Sequence, residues 1–474
     1  MTEPLTGHAG VMRLARCAGA LLTAAATAAA IAAPRVTAAA PWRLAETLRA
    51  PAALHLAGSY RVRYETLDGQ FRHGGSGGDQ VLAERLWLAA EYDFGGVYAG
   101  AELADARVQF DDAGTPLGTD DVNALEPQQV YLGYRGRDRF VAGDHVDVRA
   151  GRQTLDLGSR RLVARNQFRN TPNAFTGLVA HWDDPAGQRL TAFFTLPLER
   201  RPSTPAALAD DCAALDREHA GVRFWGLDYE RNLTAGIRAE AYLLSLDEAA
   251  AVGGPTRARE LYTPGLRARR APARGAVDFE WETALQFGRS RRVASSAAAR
   301  VQHFAHFHHV SLGYTRHDAW QTRFVVQYDY ASGDRRPGDG DNGRFDTLFG
   351  ARRFEFGPTG IAGAILRGNV STPGARLEIT PTPRLAAFAG YRAIFLAAAR
   401  DAWLPGGVQD ASGAAGHFVG HQLELNLVYD IRPGNLRWEG GAAWLANGRF
   451  LDDAPTASGA DGTAYAYAQL TLSF

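Results

Sequence analysis

Apolar and polar positions alternate with a period of two through most of the chain beyond residue 41. In Leu54 to Thr66, one face collects Leu54, Leu56, Tyr60, Val62 and Tyr64. The other collects His55, Ser59, Arg61, Arg63 and Glu65. A strand sends successive side chains to opposite sides, so this pattern is a strand with one apolar and one charged face. Segments of about ten such residues recur, separated by turn signals. No run of about 18 apolar residues occurs beyond residue 41, so the sequence predicts no membrane-spanning helix. A water-soluble sandwich would bury the apolar faces but would need every charged face fully exposed. A barrel in lipid removes the conflict, because apolar faces meet acyl chains and charged faces meet a wet lumen. The expected fold is all-β: a transmembrane antiparallel β-barrel of about 18 strands, with 16 as the alternative count.

Turn lengths point the same way. Asp93-Phe94-Gly95-Gly96, Asp183 to Gln188 and Arg231-Asn232 are tight connections. The stretches Gly69 to Gln80, Phe110 to Glu126, Pro197 to Gly221 and Asp247 to Gly275 are long and polar. Short and long alternate as periplasmic turns and extracellular loops do in outer-membrane barrels. After Gly288 the alternation breaks, because Arg289 to Ala299 is too long for a tight turn. Either a strand is missed there or one turn is unusual.

The two ends carry their own signals. Arg13 and Arg16 precede an Ala-rich apolar run from Ala18 to Ala33, and Ala38 and Ala40 offer an Ala-x-Ala cleavage site. Residues 1–40 are thus expected to be a cleaved secretory signal, with residues 41–474 a single outer-membrane barrel. The rival, a transmembrane anchor, is weakened by the shortness and low Leu content of the run. At the other end Leu470, Leu472 and Phe474 alternate with Gln469, Thr471 and Ser473, with Tyr465 and Tyr467 just upstream. An alternating strand ending on a terminal Phe resembles the signal by which the barrel-assembly machinery recognises its clients. Tyr92, Tyr98, Trp182 and Trp438 lie near strand ends and fit aromatic girdles at the two membrane interfaces.

Composition narrows the chemistry. The chain has 474 residues with 51 basic and 51 acidic side chains, and every basic one is Arg. Zero net charge gives no global field toward nucleic acid. A basic lining here would consist of planar, permanently charged guanidinium groups. Of the two cysteines, Cys17 lies in the leader, so Cys212 alone offers neither a disulfide nor a thiolate cluster.

Residues 126 to 184 hold the densest motifs. Val130 to Tyr134 is a strand, and Val146 to Thr154 runs into Gly151-Arg152-Gln153, followed by Gly158-Ser159-Arg160-Arg161. Arg165 to Asn170 and Asn173 to Leu178 come next. Tyr328 to Asp334 and Phe345 to Phe349 form further blocks. This succession resembles the alginate export family, which has a Gly-Arg-Gln ending a strand and a Gly-x-x-Arg in the next loop. The resemblance implies one large barrel, loops folded into an Arg-lined lumen, and passive passage of an anionic polysaccharide or oligosaccharide such as alginate. Bidentate Arg–carboxylate contacts suit a polyuronate, and a ladder of weak sites lets it slide. The candidate lumen residues are Arg61, Arg63, Arg149, Arg152, Arg160, Arg161 and Arg165, with Glu65, Asp147 and Asp156 to balance them. Arg152 shares parity with Val148 and Ala150, which point outward, so a bulge or a position past the bilayer is needed to bring it in. Arg160, Arg161 and Arg165 lie in a connection that either folds inward or stays on the surface. The block Phe349 to Phe354 lacks the family's His, a departure that bears on alginate as the substrate.

Other motifs weigh less. Gly74 to Gly78 matches G-x-S-x-G, but its Ser lies in a Gly-rich loop and not in a strand-to-helix elbow. His303 and His309 share one strand face, and His306 and His308 the other, with no third metal ligand in view. Asp339, Asp341 and Asn342 read as an exposed acidic loop, since the EF-hand spacing is absent. No cofactor, metal or catalytic set is expected. The partners are the anionic substrate and outer-membrane lipid, and the location is the outer membrane of a Gram-negative bacterium. A porin for small anionic solutes is the alternative, and a lipid-acting barrel enzyme is a third reading that lacks a nucleophile and base.

Overall fold

A computed structural model describes residues 40–474 apart from 113, 234 and 235. The expected leader therefore lies outside the described residues except for Ala40. Twenty strands follow one another. They are β1 (Leu54–Asp68), β2 (Gly78–Asp93), β3 (Val97–Gln109), β4 (Asn123–Arg137) and β5 (His145–Gln153). Next come β6 (Phe175–Asp183), β7 (Arg189–Glu199), β8 (Arg217–Glu218), β9 (Val222–Asn232) and β10 (Ile237–Glu248). Then follow β11 (Glu260–Arg270), β12 (Val277–Arg291), β13 (Arg300–Thr315), β14 (Arg323–Ala331) and β15 (Asp341–Asn342). The last are β16 (Val370–Thr382), β17 (Leu385–Phe395), β18 (Phe418–Arg432), β19 (Leu436–Asn447) and β20 (Gly462–Ser473). The two-residue β8 and β15 stand outside the wall. The other eighteen pair antiparallel with their neighbours, and β1 pairs with β20 to close the barrel.

Closure depends on the last residue. The Phe474 amide donates to Gly58 O at 3.0 Å and its carbonyl accepts from Gly58 N at 2.8 Å. A Cβ on Gly58 would fall 2.3 Å from the Phe474 ring, so only glycine admits that ring against β1.

Connections alternate strictly. One end carries the short turns, including 94–96, 184–188, 271–276, 383–384 and 433–435. The other carries the long loops, above all 154–174, 200–221, 332–369 and 396–417. Our reading of Asp247 to Gly275 as one connection was wrong: it contains β11, flanked by the loop 249–259 and the turn 271–276. That strand restores the alternation, so 292–299 is an ordinary long-end loop and the turn after Gly288 is not unusual. Period two missed β11 because Arg267, Arg269 and Arg270 crowd its end, and Pro264 and Gly265 break its middle.

Parity also orients the side chains. On β1, Arg61, Arg63, Glu65 and Leu67 are buried inside, while Tyr60 and Tyr64 are exposed outside. Tyr98 corrects our girdle assignment. It is fully buried, faces inward, and donates to Asp147 on β5.

The apolar core sits in the lumen. Loops 154–174 and 332–369 turn inward and pair with each other, with Val163 and Phe349 forming a parallel bridge. Leu162, Val163, Phe175, Phe224, Phe345 and Phe356 are buried between these loops and the wall. Burying each such side chain contributes about 1.5–3 kcal/mol toward keeping these loops inside.

Candidate functional site

The inward loops are tied to the wall by arginine. Arg61 donates to the carbonyls of Gln167, Phe168 and Arg169 at 3.0–3.2 Å and to Asn170 Oδ1 at 2.9 Å. Arg63 reaches Phe168 O at 2.6 Å and Glu65 at 2.7 Å, while Arg85 reaches Gln167 O and Arg169 O at 2.8 and 2.6 Å. All three are buried. A guanidinium offers five donors in a fixed fork, so each of these side chains satisfies several carbonyls of one irregular segment. The segment 167–170 thereby gains a backbone partner set that no neighbouring strand could supply.

A second tie is ionic. Arg161, 4% exposed in its side chain, lies 2.6 Å from Glu280 and 2.7 Å from Glu282 on β12, and 2.8 Å from Glu355 in the other loop. Arg367 joins Glu355 at 2.9 Å and donates to Arg161 O. Burial pulls the Arg161 pKa down, but Glu355, Glu282 and Glu280 outweigh it and carry it above its ordinary value. Burial, with the Arg161 charge nearby, leaves Arg367 below its ordinary value despite Glu355. Arg165 pairs with Glu102 on β3 at 2.5 Å, and Arg353 pairs with Glu424 on β18 at 2.6 Å.

Beneath this plug, toward the short turns, the lumen opens into chambers, two of which are lined by arginine. The larger, about 650 Å³, sits under Gln167, Phe168, Arg353 and Phe354. Five arginines (61, 85, 353, 432 and 437) border it against two carboxylates, Asp430 and Glu439. The smaller, about 410 Å³, lies under Asp156, Leu157 and Gly158. There four arginines (189, 238, 267 and 269) face five carboxylates: Asp147, Asp156, Asp183, Asp228 and Glu230. The excess of arginine is therefore confined to the larger chamber, which favours anions. Gly158 fixes the tip over the smaller chamber at φ +47°, where a Cβ would fall 1.9 Å from a Glu240 oxygen. Arg160 stacks 4.0 Å from the centre of the Phe354 ring, between the tip over one chamber and the roof of the other.

The ten candidates divide by what holds them. Arg61, Arg63, Glu65, Arg161 and Arg165 are buried inside the barrel and engaged by the plug, and of these five Arg61 alone also borders the larger chamber. Glu65 accepts from Arg63, from Tyr465 Oη at 2.8 Å and from the Ile361 amide at 3.3 Å. Arg149 is half-exposed on the lumen face beside Tyr98 and Asp147, and Asp147 and Asp156 border the smaller chamber. Arg160 is exposed and has no carboxylate partner among the described residues. Arg152 is not in the lumen. It pairs in register with the exposed Val130 and is clamped by Glu126 and by Glu218 at 2.8 Å, near the long-loop rim. No bulge turns it inward, so its outward parity stands.

Sequence reasoning missed Arg85, Arg353, Arg432 and Arg437. Arg85 was within reach, since it stands opposite Arg61 across β1 and β2 and shares the inward parity of Val81 and Ala83. Arg432 and Arg437 flank the 433–435 turn, where alternation gives no direction.

The comparisons agree with this geometry. The barrel resembles solved outer-membrane structures of low identity, which share the fold. Pseudomonas aeruginosa OccK8 (OprE) matches at 12% identity and TM-score 0.54, over 89% of this chain and 98% of that one. Acinetobacter baumannii OccAB2 matches at 13% and 0.55, over 89% and 98%. Pseudomonas aeruginosa OpdK, solved with vanillate, matches at 11% and 0.52, over 88% and 98%. No curated protein matches the chain. The family model described as alginate export matches residues 52–464, and the chain belongs to that family of outer-membrane barrels.

Proposed function

We propose that this channel passes carboxylated chains, such as a polyuronate or its oligomers, without energy input, by way of the larger chamber. The observation that carries the reading is the excess of arginine over carboxylate around that chamber. Fixed guanidinium groups in a narrow passage with low-dielectric walls raise the local anion concentration and are screened less than in bulk. Phe168, Phe354 and Trp87 also border the passage, and arginines stacked on their rings hold the guanidinium groups in place.

The second reading is a porin for small carboxylates. Plug loops that fill the long-loop half favour it, as does the vanillate carried by the OpdK structure.

Planar-bilayer recording separates the readings. The polymer reading expects anion-selective reversal potentials and block by oligouronates that deepens with chain length, with neutral oligosaccharides of equal length ineffective. Block by a monomeric uronate equal to that by a hexamer would favour the small-solute porin. Cation selectivity would defeat both.

A further inference from the structure

Outward-facing side chains of a lipid-embedded barrel are expected to be apolar, and polar ones at that depth need a reason. On β13 the outward row reads Phe304, His306, His308, Val310, Leu312 and Tyr314. Two half-buried imidazoles thus interrupt an apolar face. Thr283 Oγ1 on β12 lies 2.8 Å from His308 Nδ1 and 3.4 Å from Phe307 O. His306 Nδ1 lies 3.0 Å from His308 Nε2. With the Thr283 hydroxyl given along the shorter contact, His308 Nδ1 accepts it, His308 Nε2–H donates to His306 Nδ1, and His306 Nε2 keeps its proton as a donor. The chain ends at His306 Nε2, for which no protein group serves as partner among the described residues. Tyr330 on β14 stacks on His306 with 5.2 Å between ring centres and 17° between planes, fixing its direction.

Height and charge identify what meets that free nitrogen. Tyr314 lies eight residues nearer the short-turn end, which is about 26 Å of strand and about 19 Å of height at a tilt of about 45°. The apolar band of such barrels is about 25 Å tall, so His306 stands just below its long-loop edge. Above it, at the start of loop 332–369, Arg335 and Arg336 are exposed and have no carboxylate partner among the described residues, and Arg335 is close enough for its charge to bear on His306. Below it, the exposed Val310, Leu312 and Val326 offer a surface for acyl chains. Cationic heads at the rim, an aimed imidazole at the band edge and apolar wall beneath match one amphiphile.

We propose that the outward face of β12–β14 binds a phosphorylated glycolipid of the outer leaflet. Arg335, Arg336 and His306 take the phosphate, and Val310, Leu312 and Val326 lie along the acyl chains. Phosphate oxygens accept charge-assisted bonds from the two guanidinium groups and a further hydrogen bond from the His306 imidazole N–H, which sets the preference for this headgroup. The inference does not depend on the substrate of the lumen.

The test titrates the full barrel in dodecyl maltoside with bisphosphorylated lipid A and with fully dephosphorylated lipid A, counting bound lipid by native mass spectrometry. The wild type should retain the phosphorylated form roughly tenfold better, and His306→Gln with Arg335→Gln and Arg336→Gln should abolish that preference. Arg107→Gln, on the outward face of β3, should leave it intact. Heat-modifiable migration verifies assembly. Should the triple variant fail to assemble, Arg335→Gln alone, at an exposed loop position, must weaken the preference. Equal retention of both lipids, or an unchanged preference in the variants, overturns the proposal. Displacement of lipid A by millimolar inorganic phosphate would mean a free-phosphate site and also overturns it. So would a change in oligomeric state with lipid binding unaltered, which would make the patch a protein interface.

Discussion

Arg161→Met should unlatch the plug. The side chain fills a similar volume, but Glu280, Glu282 and Glu355 lose a cation that stands 2.6–2.8 Å from each. Arg267 still reaches Glu280 at 2.7 Å and Arg367 still reaches Glu355 at 2.9 Å, which leaves Glu282 the most exposed to the loss. Breaking a buried ion pair by removing one partner costs about 3–5 kcal/mol, since a charge is left unpaired. At about 1.4 kcal/mol per factor of ten, local opening becomes roughly a hundred- to several-thousand-fold more frequent. The opening is local because Arg61, Arg63 and Arg85 still hold segment 167–170. Single-channel recording should therefore show frequent transitions to a higher conductance. Amide exchange should accelerate across 159–163 and 349–355 while the wall strands stay protected. Arg161→Lys restores charge but not the three-way fork, so it should fall between the wild type and Arg161→Met. Adding Glu282→Gln to Arg161→Met should recover much of the closed state, because the most stranded charge is gone while Glu280 and Glu355 keep Arg267 and Arg367. Unaltered conductance and exchange in an assembled Arg161→Met barrel would refute the latch.

Three further outcomes are expected. Arg432→Glu with Arg437→Glu turns five arginines against two carboxylates into three against four around the larger chamber, so reversal potentials in a salt gradient should move toward cations. Deleting Phe474 removes both hydrogen bonds to Gly58 and the ring seated on it, and should lower the heat-modifiable fraction recovered from outer membranes. Burial, then the neighbouring Asp120 and Glu65 charges, push Asp121 in loop 110–122 up to about 7. A raised folded-state pKa means stability that is complete below about pH 4 and lost as pH rises through about 7. Protease nicking of that loop should thus increase from pH 4 to 8 in the wild type and stay flat in Asp121→Asn.

The wall was legible because lipid outside and water inside impose one rule on every strand, and Tyr60, Arg61, Val62, Arg63 and Tyr64 obey it literally. The strand it hid, β11, is the one where charge crowds the end and Pro264 and Gly265 interrupt the middle. Turn chemistry reads well where two or three residues suffice, as at 94–96. It says little about 332–369, whose path is set by burial of Phe345 and Phe356 against distant strands.

Arginine shows where such reading stops. Parity places Arg61 and Arg63 inside, and the next inference, that an inward arginine waits for an anion, requires knowing what already occupies it. Here the occupants are the carbonyls of 167–170, brought from about a hundred residues away, and nothing in the strand announces them. A guanidinium that meets three carbonyls serves a loop as well as it would serve a carboxylated sugar, because the same fork fits both. For that reason a charge-reversal pair at Arg63 and Arg161, which the sequence would recommend as a selectivity test, should instead release the plug. The selectivity test belongs at Arg432 and Arg437, beside the short turn, where the guanidinium groups border open lumen. If the Arg63→Glu, Arg161→Glu barrel closed normally and merely reversed its selectivity, the division between anchoring and lining arginines would be wrong.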